Sequence, residues 1–418
     1  MIKMDPLTEL TVLSKEELKA KGIEYTPKEI LQQPDSWMKN FGMLKNRFDE
    51  IEGFIRKNIW SKNAKKIILS GAGSSHFIGL SSENLLRGMW QVNVESKAST
   101  DIVTDWKSIF LTHLDTTMIY FSRSGNSPEV LGAFILADKY CKKVNHIVVT
   151  CNKNGRLASL HSKSEEENQE SNVLRIILSE ETNDKGLAMT SSFTTMLMTA
   201  QFLAHVHEID RYEETIRNAS KIAKKILKED SSLIKEIAEL DFERAFFLGS
   251  GSLYGCAAEA HLKLQELTAG HIICKFDSFL GVRHGPEAAI NNKTLIICFV
   301  SSNPFTRRYE IDFIKDMYEK ALGLKKIAIC CGLDEELKRY VDYVIDISDC
   351  GNYVIQDSCR PIVDVIVGQL LGLFKSLNLG LKPDNPSEKG VITRVVRGVK
   401  IYDYEEYERL KQFKVIVQ

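Results

Sequence analysis

No two cysteines in this chain are spaced to suggest a disulfide framework or a structural zinc site. The 418 residues carry nine Cys, an odd count, adjacent only at Cys330-Cys331 and nowhere spaced as CxxC. They read as reduced, mostly buried cytosolic thiols. Net charge is missing as well: 55 Lys+Arg against 56 Asp+Glu leave −1. That balance gives no long-range attraction to nucleic acid or an anionic membrane surface. No apolar run reaches the roughly 18 residues a membrane span needs. The nearest approach, Pro361 to Phe374, is interrupted by Asp364 and Gln369. Met1-Ile2-Lys3-Met4-Asp5-Pro6 lacks the basic-then-apolar pattern of a signal peptide, so a cytoplasmic location is expected. With no HExxH and no carboxylate–histidine cluster in the sequence, no metal is expected.

What is present describes a soluble globular protein of two ordinary domains, 44% hydrophobic and 27% charged. Up to about residue 60 the patterning is helical. Ser14-Lys15-Glu16-Glu17 and Thr26-Pro27-Lys28-Glu29 both have capping-box spacing, and Gly22 closes the first helix. Trp37, Phe41, Leu44, Phe48, Ile51 and Ile55 recur at helical spacing, so this extension packs on something larger. From Lys65 short apolar strands alternate with helical patterns, the signature of a parallel sheet with crossover helices. Strands are expected at Ile67-Ile68-Leu69, Val92-Asn93-Val94, Met118 to Phe121, His146 to Thr150 and Ile176-Ile177-Leu178. The acidic run from His161 to Asn172 reads as an exposed loop, and Ser191 to His207 as a long helix.

The second half repeats the first. Gly71 and Gly73 recur as Gly249 and Gly251, an offset of 178 (249 − 71). Phe121 recurs as Phe299 with the same offset, and Ile147-Val148-Val149 matches Ile327-Ala328-Ile329 at an offset of 180. A nearly constant offset through three landmarks means two copies of one α/β unit. The organisation expected is a helical extension 1–44, unit one at 45–215, unit two at 216–385, and a tail 386–418.

Three stretches can carry chemistry. Ser122-Arg123-Ser124-Gly125-Asn126-Ser127-Pro128-Glu129 joins a buried strand to a helix, with Ser127 placed as N-cap and Pro128 at the first helical position. Hydroxyls, a guanidinium and free N–H groups at a helix start make an anion site, best suited to phosphate. The opposite stretch, Val300-Ser301-Ser302-Asn303-Pro304-Phe305, has lost the glycine and part of the hydroxyl set, so only the first copy keeps a full cradle. Gly71-Ala72-Gly73 is not the dinucleotide fingerprint, because His76 stands where a third small residue belongs. Ser74 and Ser75 can instead line the same crevice as the Ser122 loop.

Glu259, Lys263 and Glu266 fall on one helical stripe, flanked by Leu262, Leu264 and Leu267 and by small residues at Ala257, Ala258 and Ala260. Such a stripe is normally a solvated ion-pair face. Half-buried, it offers Glu266 as a base and Lys263 as its partner. Arg283-His284-Gly285-Pro286 follows, with His284 on a loop as a proton shuttle near neutral pH and a helix expected over Glu287 to Ile290. Thr190-Ser191-Ser192 is either a second polar rim or a helix cap.

These motifs resemble the SIS (sugar isomerase) phosphosugar-binding domains in tandem, each a doubly wound, mostly parallel α/β sheet flanked by helices, here with helical terminal extensions. The arrangement is similar to the isomerase half of glucosamine-6-phosphate synthase. It resembles more closely, from end to end, the galactosamine-6-phosphate deaminase/isomerase group, also described as tagatose-6-phosphate ketose/aldose isomerase. That closer likeness includes Thr26 to Pro34, Ala188 to Thr194, Leu267-Thr268-Ala269-Gly270 and Lys382 to Pro386. The resemblance implies that Ser122, Ser124 and Ser127 hold the sugar phosphate and that Ser75 meets the sugar. It further implies that Glu266 moves the proton between C1 and C2, that His284 opens the ring, and that Glu259 and Lys263 complete the site. Arg123, Ser74, Thr190 and Ser191 are placed with the substrate-binding set. A sugar phosphate substrate, no cofactor and a homodimer or larger oligomer follow from the same likeness. Phe279-Leu280 depart from it and are expected to reshape the pocket. A tail lysine that enters the synthase site can correspond to Lys400, Lys411 or Lys414. Deaminating isomerisation of galactosamine-6-phosphate is the favoured expectation; isomerisation without deamination and a non-catalytic sugar-phosphate sensor are the alternatives.

Overall fold

Runs such as Lys66-Ile67-Ile68-Leu69, apolar at consecutive positions, suit strands covered on both faces. In the computed structural model they form two five-stranded, all-parallel sheets. The structure describes residues 4–60, 65–111, 113–167, 171–348, 354–396 and 398–406. The first sheet holds β1 (Lys65–Gly71), β2 (Asn93–Ala98), β3 (Asp115–Ser122), β4 (Val144–Thr150) and β5 (Val173–Ile177) in the order β2-β1-β3-β4-β5. The second holds β6 (Arg244–Gly249), β7 (Ile273–Asp277), β8 (Thr294–Phe299), β9 (Lys325–Cys330) and β10 (Tyr343–Asp346), ordered β10-β9-β8-β6-β7. Read from the other edge, that is the same order, so the duplication inferred from the 178-residue offset is a duplication of topology.

Helices precede and connect the strands. The N-terminal extension folds as α1 (Pro6–Thr11), α2 (Lys15–Lys21), α3 (Thr26–Leu31), α4 (Gln33–Lys45) and α5 (Phe48–Asn58). The first copy adds α6 (Ser74–Trp90), α7 (Ser99–Ile109), α8 (Pro128–Tyr140), α9 (Arg156–Ser159), α10 (Lys163–Glu166) and α11 (Ser191–Ala204). Then come α12 (Ile209–Lys225), which runs unbroken through the expected 215/216 seam, and α13 (Ser231–Glu239). The second copy supplies α14 (Ser252–Leu267), α15 (Pro304–Glu319), α16 (Glu335–Lys338) and α17 (Pro361–Asn378).

Strand alternation places the layers. Ile67, Leu69, Ile119 and Phe121 share one core with Phe247, Ile297 and Phe299 of the other sheet and with residues of α6, α11, α14 and α17. The intervening residues face outward into separate cores, Ile68, Met118 and Tyr120 under α8, and Phe246, Leu248 and Ile296 under α15. The two sheets therefore sandwich a shared layer of helices. The apolar run from Pro361 is in that layer: α17 is the one helix among the described residues long and apolar enough to cross a membrane, and it is almost wholly buried in protein.

Helices in this layer meet at glycines. A Cβ on Gly255 of α14 would stand 2.4 Å from the Ser81 backbone nitrogen of α6, and one on Gly368 would stand 2.5 Å from Ala260 Cβ. Gly255→Ala must therefore push the copies apart. We expect it to cost about 1–3 kcal/mol of stability and to lower turnover, because Lys263 lies two turns along the same helix. Urea unfolding and steady-state kinetics check this; an unchanged midpoint with unchanged kcat would contradict it.

Several local expectations change. The Ser14–Glu17 capping box is present and Gly22 closes its helix in the left-handed region, at φ 61°. Thr26 caps nothing: its hydroxyl donates to Asp384, and Tyr25 occupies the N-cap position. The His161–Asn172 run is not all loop, since Ser162 and Glu165 form a capping box on α10 and Glu165 pairs with Arg175. Pro286–Ala289 is a short 3₁₀ turn in place of a helix.

Candidate active site

In open α/β sheets ligands settle beyond the carboxyl ends of the strands where strand order reverses. In the first sheet that point lies between β1 and β3, which pair side by side. The β1–α6 turn and the Ser122 loop are the two segments that leave those strands. Gly73 turns the chain at φ 55°, ψ −126°, and Gly251 repeats it at φ 59°, ψ −127°. A Cβ on Gly71 would meet the Ser75 carbonyl carbon at 2.5 Å. These glycines serve a tight turn that delivers Ser74 and Ser75 to the crevice.

The Ser122 loop is bonded within itself. Ser122 Oγ accepts the Gly125 N–H at 3.1 Å and Ser124 Oγ accepts the Asn126 N–H at 3.2 Å, so each hydroxyl keeps its own proton to donate. Ser127 stands at the N-cap of α8 but its hydroxyl makes no capping bond, contrary to expectation. The second copy differs in a way that residue-by-residue comparison missed. Phe121 to Phe299 is 178 residues, yet the helix starts Pro128 and Pro304 are 176 apart, so its loop is two residues shorter. There Asn303 Oδ1 accepts from the Phe305 and Thr306 N–H groups and closes the helix end.

The Glu259–Lys263–Glu266 stripe reaches this crevice from the other copy. Lys263 and Glu259 are fully buried, at 0% exposure, where α14 crosses α6. Lys263 Nζ donates to Ser74 Oγ at 2.9 Å, bonds Glu266 Oε1, and lies 3.1 Å from Glu259 Oε1. A solvated ion-pair face is thus ruled out. Burial pushes the Glu259 carboxyl up to about 8, against the opposing pull of Lys263. Burial alone would lower Lys263, but the two carboxylates outweigh it and hold the ammonium charged. Lys263 is therefore a buried cation bonded to Glu266, beside a Glu259 carboxyl that burial biases toward its protonated form. Glu266 keeps part of its side chain open to the crevice.

Arg123 does not turn toward the hydroxyls of its own loop. Its Nη1 donates to the Gly186 and Leu187 carbonyls at 3.3 and 3.1 Å, and Nη2 to the Arg394 carbonyl at 2.6 Å. Burial, then the Arg394 cation, lowers its pKa; Asp184, Glu266 and Glu29 oppose. Thr190 and Ser191 are fully buried and committed within the protein. Asp184 accepts the N–H groups of Thr190, Ser191 and Ser192 at the start of α11, and Ser191 Oγ donates to the Glu29 carbonyl. Ser75 is buried, with Met189 Sδ at 3.9 Å as its neighbour.

Sequence reasoning missed the frame behind Arg123. Glu29 accepts the Lys185 and Gly186 N–H groups, and burial followed by the nearby Asp184 pushes it up to about 8. Asp384 accepts from the Tyr25 and Thr26 N–H groups and its own carbonyl accepts from Leu187. Trp37 and Gln33 both bond Thr194. Three motifs that looked separate, at Thr26–Pro34, Ala188–Thr194 and Lys382–Pro386, are one hydrogen-bonded knot that fixes the carbonyls holding Arg123. Their unusual specificity was the available signal.

His284 lies exposed on the loop after β7, and its side chain bonds none of the other site residues among those described. Phe279 anchors that loop in the outer core with Val282, while Leu280 is exposed. Lys400 is exposed and sits over the Tyr402 ring. Lys411 and Lys414 lie outside the described residues.

Known proteins are similar to this chain in sequence and in fold. The SIS domain family profile matches residues 62–206. D-galactosamine-6-phosphate deaminase AgaS of Escherichia coli O157:H7 is 31% identical over 389 residues, covering 91% of this chain and 96% of that protein. The enzyme of the same name from Shewanella sp. (strain ANA-3) is 32% identical over 402 residues, covering 94% and 95%. Among solved structures, the tagatose-6-phosphate ketose/aldose isomerase from Escherichia coli superposes with a TM-score of 0.79 at 29% identity, covering 91% of this chain and 96% of that one. With this sequence likeness along its length and its tandem parallel sheets, the chain belongs to the AgaS-like family of SIS-domain phosphosugar isomerases.

Proposed function

We propose that the chain performs deaminating isomerisation of galactosamine-6-phosphate, giving tagatose-6-phosphate and ammonia. The observation that carries this reading is the buried Glu259–Lys263–Glu266 cluster bonded to Ser74 at the edge of a phosphate cradle left without an internal cap. The substrate phosphate accepts from the Ser122, Ser124 and Ser127 hydroxyls and the first N–H groups of α8. This anchor holds C1 and C2 against the stripe. His284 moves a proton from the anomeric hydroxyl to the ring oxygen and the ring opens. Glu266 takes the C2 proton; the C2–H electrons form the C1–C2 double bond as the C1 oxygen gains a proton. Lys263 balances the charge that appears beside it. Return of a proton to C1 leaves an imine at C2, water adds, and ammonium departs. C1 is reduced as C2 is oxidised, so no external oxidant or reductant enters. Exposed His284, apart from the cluster, fits a histidine delivered to the site of a second copy, and a homodimer or larger assembly is part of the proposal.

Isomerisation without nitrogen loss is the second reading, favoured by the name of the solved Escherichia coli relative. The same proton transfer serves both. Incubation with galactosamine-6-phosphate, with ammonia and ketose followed separately, decides between them. Equal release of ammonia and tagatose-6-phosphate is expected; ketose–aldose exchange with no ammonia from any hexosamine phosphate would leave the second reading.

A further inference from the structure

The second sheet has the same switch point, between β6 and β8, and its crevice is not empty. Ser301 Oγ donates to the Asp357 carboxylate; Ser302 N and Oγ donate to Asp357 Oδ1 at 2.9 and 2.5 Å; and Arg360 Nη1 donates to the same oxygen at 3.0 Å. Two hydroxyls, a backbone N–H and a guanidinium thus converge on one anionic group at the end of β8. That is the donor set an oxyanion cradle uses. Arg360 is fully buried and fixed from behind by Asp364 at 2.7 Å and the Val300 carbonyl at 2.8 Å. The Asp357 side chain remains about a quarter exposed, at 23%, so the position is reachable from solvent. Beside it, Glu310 Oε2 accepts the Ser301 N–H at 2.7 Å. In the first copy no carboxylate is bonded to Ser122, Ser124 or Ser127 among the described residues.

We infer that Asp357 is an internal stand-in for a phosphate: its carboxylate fills the anion cradle of the second crevice and leaves the first as the one phosphate site of the chain. The ligand class excluded by it is a phosphate monoester or other tetrahedral oxyanion. Removing the carboxylate while keeping Ser301, Ser302 and Arg360 should open that site. The inference rests on the reading of the Ser122 loop as the phosphate site only for its stoichiometry.

The test counts inorganic phosphate bound to the full-length protein by equilibrium dialysis at pH 6, where Glu310, which burial pushes up to about 7, is protonated and does not oppose a second anion. Wild type should bind one phosphate per chain and Asp357→Ala two. In a Ser122→Ala/Ser124→Ala background, which disables the first cradle, adding Asp357→Ala should take binding from none to one. Should Asp357→Ala be marginally folded, its melting temperature read with and without phosphate serves instead. A rise that persists in the triple variant supports the inference, and its absence overturns it. A folded Asp357→Ala that still binds one phosphate would make Asp357 an ordinary structural carboxylate. Wild type binding none would defeat the Ser122-loop reading, and Asp357→Ala gaining one would still uphold this one.

Discussion

Glu266→Gln should lower kcat on the aminosugar phosphate by about 10²–10⁴ while leaving binding of the sugar phosphate nearly unchanged. Gln keeps the length and the acceptor that faces Lys263 but has no basic oxygen to remove the C2 proton. On the proposed reading the phosphate is held by the Ser122 loop of the other copy, so binding should survive. Turnover measured beside equilibrium binding of the product ketose phosphate checks both halves. Activity within about tenfold of wild type would move the base elsewhere in the cluster, with Glu259 the first candidate. Hydrogen exchange from C2 into solvent should be lost in parallel.

Removal of the cation should do more. Lys263→Met matches the stem of the side chain but leaves Glu259 and Glu266 facing each other around Ser74 with nothing positive between them. Taking one partner from a buried ion pair typically costs about 3–5 kcal/mol, and here two carboxylates share the one ammonium. The variant should therefore lose stability by that amount, in addition to losing turnover, and the loss of stability should ease as pH falls and Glu259, which burial pushes up to about 8, is protonated. Urea unfolding at pH 8 and pH 5 provides the measurement. Equal stability of variant and wild type at pH 8 would mean that Lys263 is not the group that balances the two carboxyl groups.

The fold and the grouping of the Glu259–Lys263–Glu266 stripe were legible for definite reasons. Parallel strands buried on both faces appear as unbroken apolar runs, and duplication appears as a constant offset between glycine turns. The spacing of Glu259, Lys263 and Glu266 put them on one stripe before any contact was known. What that spacing does not encode is the neighbour across the stripe. Only the approach of α6 at Gly255 makes Ser74 the partner of Lys263. Arg123 shows the same limit. Its place beside three serines suggested a phosphate ligand, whereas its acceptors come from Gly186, Leu187 and Arg394, up to 271 residues away. Thr26 read as a cap because capping is local; the carboxylate it meets is 358 residues distant. Asp357 had no signal, since nothing periodic joins it to Ser301.

That long reach bears on how the protein is made. A chain emerging from the ribosome N-terminus first has the whole first sheet and the Ser122 loop available by residue 200. Thr26 still waits for Asp384, and Arg123 for the Arg394 carbonyl. Closing loops this long is an entropic debit that late contacts must recover, and contacts of such separation slow folding. Lys263, which sets Ser74, also arrives in the second half. A chain made only to its first sheet thus owns the Ser122-loop residues without the framework that orders them. Order around that loop waits until Asp384 and Arg394 have been made, long after the strand that leads into it.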